Sequence, residues 1–148
     1  MNHLFNMSGA LLRSIQNYQY YKSKNGAVAV LLYRYFLIKH FILTVMTGSD
    51  IHPDATIGKG LRLPHPNGVI IHQDAKIGDD CLIMQQVTIG QLAEDGAPVV
   101  GSGVYMGAGA KVLGKISIGD RARIGANSVV LINVPSDKTA VGAPAHIV

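Results

Sequence analysis

Residues 100–134 decide the fold. Read in sixes they are Val100-Gly-Ser-Gly-Val-Tyr, Met106-Gly-Ala-Gly-Ala-Lys, Val112-Leu-Gly-Lys-Ile-Ser, Ile118-Gly-Asp-Arg-Ala-Arg, Ile124-Gly-Ala-Asn-Ser-Val and Val130-Leu-Ile-Asn-Val. An aliphatic residue opens every block. The fifth residues are Val104, Ala110, Ile116, Ala122, Ser128 and Val134, all small or apolar. A strict repeat predicts a solenoid, because each unit can bury its apolar side only against its neighbours. A period of six fits neither a helix nor a simple strand. It fits a two-residue strand followed by a tight corner, where Gly, Asn and Asp accept positive φ. Three such units make an eighteen-residue triangular coil, with successive coils stacked about 4.8 Å apart as parallel strands. A β-sandwich would show alternation and turns every 8–12 residues or so instead.

The same register extends backwards. Hexads open at Ile51, Ile57, Leu63, Ile71, Ile77, Ile83 and Ile89. The step from Leu63 to Ile71 is two residues too long, so residues 64–70 bulge from the coil, and they contain His65 between two prolines. The step from Ile89 to Val100 is five residues too long, which predicts a loop with Glu94-Asp95-Gly96 at its tip. Interruptions of an exact repeat often mark functional sites.

Residues 1–49 carry no hexads and form the expected first unit, an N-terminal helical cap; residues 50–148 form the second. A helix is expected over residues 4–21, a break at Lys24-Asn25-Gly26, and a second apolar helix over residues 27–46 that ends near Gly48. The second is long enough to span a bilayer. Arg34, Lys39 and His40 interrupt it in three directions, and burying a cation at mid-membrane costs about 2.5–3.5 kcal/mol. A cap packed on the solenoid is the favoured reading, with a peripheral membrane contact through residues 27–46 as its rival.

The chain has 148 residues, a net charge of +4, 48% hydrophobic residues and 15% charged ones. Such a composition disfavours disorder. The basic residues form no stripe interleaved with aromatics, which argues against nucleic-acid binding. Cys81 is the lone cysteine and holds a fifth hexad position, so a buried spacer is expected, and a reducing compartment with it. No signal peptide is evident. These features predict a cytoplasmic protein, with contact at the inner face of a membrane if the cap touches lipid.

Of the six histidines, His3 and His40 belong to the cap and His146 has no informative spacing. His52 and His72 sit at corners, where a structural hydrogen bond is the simpler role. His65, inside the bulge, is the candidate base. Asp50 precedes it by fifteen residues, near the same corner one coil below, where a carboxylate would orient the ring. A metal site is not expected: His65 and His72 lack the spacing of a three-histidine zinc set.

Residues 50–148 resemble the catalytic domain of serine acetyltransferases, hexapeptide-repeat acyltransferases with a left-handed parallel β-helix. The resemblance rests on Asp50-Ile-His-Pro, Ala55-Thr-Ile-Gly-Lys-Gly, Gln86-Val-Thr-Ile-Gly, Met106-Gly-Ala-Gly-Ala-Lys-Val-Leu-Gly, Ile124-Gly-Ala-Asn-Ser-Val-Val-Leu and Val141-Gly-Ala-Pro-Ala-His-Ile-Val. The left hand comes from the resemblance, not from periodicity. It implies His65 as general base with Asp50 as partner, acetyl-CoA as co-substrate in a groove between subunits of a homotrimer, and backbone contacts to CoA at Gly90, Gly107, Ala108 and Ala126. Lys111 and Arg123, in sixth hexad positions, are candidates for its phosphates. Three departures bear on the acceptor. Pro64 replaces an aspartate before the base, Gly96-Ala97 replaces an Arg-His pair that grips the amino acid, and the N-terminal helical domain and the C-terminal tail that docks on cysteine synthase are reduced. They favour a sugar hydroxyl of a surface polysaccharide as acceptor, with no cysteine synthase complex. Serine and a non-catalytic scaffold trimer are the alternatives.

Overall fold

A computed structural model describes residues 7–93 and 96–148. Two helices come first, α1 (Met7–Lys22) and α2 (Ala27–Thr47), and every later element is a short strand. The strands fall on three faces. The first face carries β1 (Asp50–Ile51), β3 (Ile70–Ile71), β6 (Thr88–Gly90), β9 (Lys111–Leu113) and β12 (Val129–Val130). The second carries β2 (Thr56–Ile57), β4 (Lys76–Ile77), β7 (Val99–Val100) and β10 (Ser117–Ile118). The third carries β5 (Leu82–Ile83), β8 (Tyr105–Met106), β11 (Arg123–Ile124), β13 (Thr139–Gly142) and β14 (Ala145–Ile147). Among the described residues all pairings between coils are parallel, and β14 alone returns antiparallel, on β13. This is the left-handed parallel β-helix that the hexads and the resemblance led us to expect, capped by two helices.

Register reports the two interruptions directly. Ile51 pairs with Ile71, Ile71 with Ile89, Ile89 with Val112 and Val112 with Val130. The steps are 71 − 51 = 20, then 18, 23 and 18 residues. The extra two lie in the 64–70 corner and the extra five between β6 and β7, as the sequence predicted. The tip residues Glu94 and Asp95 lie outside the described residues.

Inside the coils the openers and fifth residues form one column. Ile51, Ile71, Ile83, Ile89, Met106, Val112, Ile124 and Val130 are buried, with Ala55, Cys81, Val87, Ala110 and Ala122 between them. Cys81 is the expected spacer, free and buried, and burial pushes its thiol pKa up. The corners pack backbone on backbone. A Cβ on Gly78 would stand 2.7 Å from the Gly101 carbonyl carbon, so glycine there is a requirement of close stacking.

The cap is docked through polar contacts. Gln19 Nε2 donates to the carbonyls of Pro53 (2.8 Å) and Ala55 (2.9 Å), and Lys22 pairs with Asp54 at 2.6 Å. That partner pushes the Lys22 pKa up to about 12 and lowers Asp54. His40, left open by sequence as structural or exposed, is buried. Its Nε2 donates to the Ile51 carbonyl (2.8 Å), and its Nδ1 lies 3.1 Å from the oxygen of Ser14, whose hydroxyl donates to the Leu11 carbonyl (2.6 Å). Helix α2 ends as expected at Gly48, in the left-handed conformation with φ 64°. His3 and residues 4–6 of the expected first helix lie outside the described residues.

Two measurements check this account. Burial lowers the His40 pKa below its usual 6.5, outweighing the Ile51 hydrogen bond that raises it. A base with a depressed folded pKa binds its proton more readily when unfolded. Its contribution is therefore complete above about pH 6.5 and is lost as pH falls toward the folded value. Thermal unfolding of the wild type should show this decline, and His40→Gln should flatten it. Ile89→Ala, in the middle coil, should cost about 2–5 kcal/mol in denaturant unfolding.

Candidate active site

Each coil turns from the third face to the first through one corner, and these corners stack into a continuous edge. In order they hold Gly48, then His65-Pro66-Asn67-Gly68, then Gln85-Gln86, then Ala108-Gly109, then Ala126-Asn127. Backbone bonds run up the edge: Gly68 N–H to Gly48 O (2.7 Å), Gln86 N–H to Asn67 O (3.0 Å), Gly109 N–H to Gln85 O (2.9 Å) and Asn127 N–H to Ala108 O (2.8 Å). Such stacking needs positive φ at each corner, and Gly68 (67°), Gln86 (59°), Gly109 (73°) and Asn127 (55°) supply it. A Cβ on Gly107 would lie 2.6 Å from the Ala126 nitrogen, which fixes glycine there.

The structure thus places His65, Gly107, Ala108 and Ala126 on one edge. The His65 corner and the Ala108 corner are two coils apart, about 10 Å at normal strand spacing. The imidazole is exposed, on a corner stiffened by Pro64 and Pro66. Between these corners, Gln85 Oε1 is shielded from solvent and has no hydrogen-bond partner. A shielded acceptor with no donor is costly, and a ligand N–H or O–H would satisfy it.

Asp50 opens the first strand beyond the edge. Its backbone is registered with Ile70, five residues after His65. Among the described residues the Asp50 and His65 side chains form neither a hydrogen bond nor an ion pair with each other. The Asp50 carboxylate stands out from the first face, while His65 rides the corner that precedes it. Asp50 instead lines two adjoining grooves. One, of about 480 Å³, has Leu37, Ile38, Phe41 and Thr44 of α2 on one wall and Asp50, His52 and Pro53 on the other. The second runs across the first face past Asp50, His52, Ile70, His72, Gly90 and Gln91. His52 and His72 were not singled out for chemistry from sequence. Each ring accepts a corner hydrogen bond at Nδ1, from Asp54 N–H and Asp74 N–H respectively, both at 3.2 Å. That leaves both Nε2 atoms free of protein partners. The signal in the sequence is the repeated Ile-His-x-Asp-Ala at residues 51–55 and 71–75.

The three other predicted cofactor contacts are placed differently from one another. Gly90 closes the last turn of β6 at the opposite border of the first face, away from Ala108 and Ala126. Lys111 is already engaged, its Nζ donating to Gln86 O (2.7 Å) and Thr88 Oγ1 (3.1 Å), so it braces the Gln85-Gln86 corner. Arg123 lies on the third face with its guanidinium 4.9 Å from the centre of the Tyr105 ring. The two cations therefore occupy different faces. Among the described residues no three His, Cys, Asp or Glu side chains converge in a way that would hold a metal.

Comparison with known proteins places this edge in context. Residues 97–131 match the bacterial transferase hexapeptide model of six repeats. The serine acetyltransferase of Synechococcus elongatus is 46% identical over 115 residues, 76% of this chain and 47% of that protein. That of Helicobacter pylori is 48% identical over 106 residues, 70% of this chain and 62% of the relative. The chain thus spans about half to three-fifths of the length of these relatives. Among solved structures, a serine acetyltransferase in complex with CoA aligns with a TM-score of 0.84 at 37% identity, covering 98% of this chain and 58% of the other. A soybean serine acetyltransferase complexed with serine gives 0.84 at 36% identity with the same coverage. The repeat, the coil register and these relatives agree: the chain belongs to the hexapeptide-repeat transferase family, as a homologue of serine acetyltransferases.

Proposed function

We propose that this chain is an acetyl-CoA-dependent O-acetyltransferase whose acceptor is the hydroxyl of L-serine. The observation that carries the transfer chemistry is the single edge that holds His65 together with the Gly107-Ala108 and Ala126 corners. A thioester laid along that edge, parallel to the solenoid axis, brings its acyl end to His65 and its amide-bearing arm to the open corners. Gln85 Oε1 offers an acceptor to an amide N–H of that arm. A relative solved in complex with CoA supports acetyl-CoA as the co-substrate.

In the reaction, His65 takes the proton of the acceptor hydroxyl as its oxygen attacks the thioester carbonyl. Corner N–H groups stabilise the oxyanion of the tetrahedral intermediate. The C–S bond then breaks, and the proton held by His65 passes to the departing sulfur, so CoA leaves as the thiol and the base is neutral again. Asp50, on the first strand one coil below, is the carboxylate assigned to orient the His65 ring.

Serine as acceptor rests on the relatives, which are serine acetyltransferases, one of them solved with serine. The surface-polysaccharide role favoured by the sequence has no support among them. One observation still keeps a sugar hydroxyl as the second reading: Gly96 and Ala97 offer no cation for an α-carboxylate, and Lys111 is committed to the Gln85-Gln86 corner. An unpaired carboxylate in a closed site costs several kcal/mol. The expectation that no cysteine synthase complex forms is withdrawn, because the relatives give it no support.

A homotrimer fits this reading, since a one-chain edge leaves the thioester half exposed and a neighbouring copy would close it. Cytoplasmic placement remains part of the proposal.

Thiol release from acetyl-CoA with L-serine, against a panel of free sugars and nucleotide sugars, tests the acceptor. Saturable turnover with serine is expected; turnover with a sugar alone would replace serine. His65→Ala should lower kcat about 10²–10⁴-fold while CoA still binds. Full activity in the folded variant would move the base to His52 or His72. Sedimentation at assay concentration should show a trimer, and an active monomer would exclude the shared groove.

A further inference from the structure

Helix α2 is half covered. Ala29, His40 and Thr47 face inward and are buried. On the same side Tyr33 meets Tyr18 edge-on, and Phe36 stacks on Tyr21 of α1. The opposite side is open and strongly apolar. Val28, Leu31, Tyr35, Ile38, Ile42 and Val45 follow each other at steps of three and four, and Leu31, Ile38 and Phe41 are 70%, 62% and 68% exposed. At about 1.5 Å per residue this face is roughly 30 Å long. An apolar surface of that extent on a folded chain calls for an occupant.

Charge decides which occupant. All nine acidic residues of the chain lie at position 50 or later, whereas Arg13, Lys22, Lys24, Arg34 and Lys39 precede it. The cap therefore carries +5 with no acid, and the solenoid, with eight basic residues, carries 8 − 9 = −1. Lys22 is neutralised by Asp54; Arg13, Arg34 and Lys39 are exposed and make no ion pair among the described residues. Arg34 stands in the middle of the apolar face, flanked by exposed Val30, Leu31, Leu37 and Ile38. Pressed against a second copy, that guanidinium would be buried opposite another acid-free surface. On a bilayer it reaches the phosphates while its stem and neighbours stay in the apolar layer. The covered side of α2, held by α1 and the first coil, rules out a helix surrounded by lipid.

We propose that the open face of α2 seats this protein flat on an anionic membrane surface, with Leu31, Ile38 and Phe41 in the acyl boundary and Arg34 and Lys39 on lipid phosphates. This goes beyond the transfer reaction and does not depend on it. The groove between α2 and the first coil, lined by Leu37, Phe41, Asp50 and His52, then opens close to the lipid plane.

The test is co-sedimentation of the full chain with vesicles of phosphatidylcholine alone or with phosphatidylglycerol. Pelleting with the anionic vesicles is expected, weakened by salt. Leu31→Glu with Ile38→Glu should weaken it at least about tenfold, since two buried aliphatic side chains are lost. The double reversal Arg34→Glu with Lys39→Glu touches no buried contact and should weaken it by about fivefold per charge. A wild-type chain that stays in the supernatant with both vesicles overturns the proposal. So does pelleting that the charge-reversal variant retains in full. A third overturning result is an Ile38→Glu chain that falls from a larger to a smaller assembly while the wild type ignores lipid, which would assign the face to a second copy.

Discussion

Everything in this molecule depends on coil-to-coil registry. Each strand is two to four residues long and could not persist alone; it exists because its N–H and C=O groups are taken up by the coils above and below. Ile70 N–H donates to Val87 O, Thr88 N–H to Ala110 O and Lys111 N–H to Ser128 O, all at 2.8–2.9 Å. That ladder holds only if the same residue of every coil points inward, which the aliphatic openers enforce by burial. Registry also makes the corners superimpose, and the superimposed corners are the edge on which His65, Ala108 and Ala126 meet.

Much of this was legible in the sequence because the constraint is periodic. Openers, spacers and corner glycines each answer a separate physical demand, and the two interruptions stood out as arithmetic. The cap helices could be read from length and the Gly26 and Gly48 punctuation. Other facts were not periodic. Nothing in the hexads shows that Lys111 reaches back to Gln86, or that Gly90 belongs to a different border from Ala108, because a linear repeat does not state which corner a residue turns. The orientation of α2 was hidden for a related reason. Arg34, Lys39 and His40 looked scattered around the helix, and only packing against α1 and Ile51 reveals that His40 lies on the covered side while Arg34 sits within the open one.

The site divides along the same line. Its backbone part is set by stacking, so sequence motifs located it well. Its side-chain part depends on where Asp50 and His65 point. Spacing puts them near a common corner, yet Asp50 opens the first strand and lines the grooves with His52 and makes no hydrogen bond or ion pair with His65 among the described residues. The histidines there repeat one local design: a ring that takes an amide hydrogen from two residues downstream and keeps its other nitrogen free.

A solenoid built from parallel rungs has two raw ends, each a template for another molecule of the same kind. Here the lower end is covered by α1 and α2, and the last rung of the third face is closed by β14 folding back against β13, with Ala140 opposite Ile147 and Gly142 opposite Ala145. Reversal of direction in that single pair breaks the parallel pattern that the coils would otherwise offer to a newcomer. On this face the hairpin therefore puts an antiparallel strand where the next parallel rung would otherwise add.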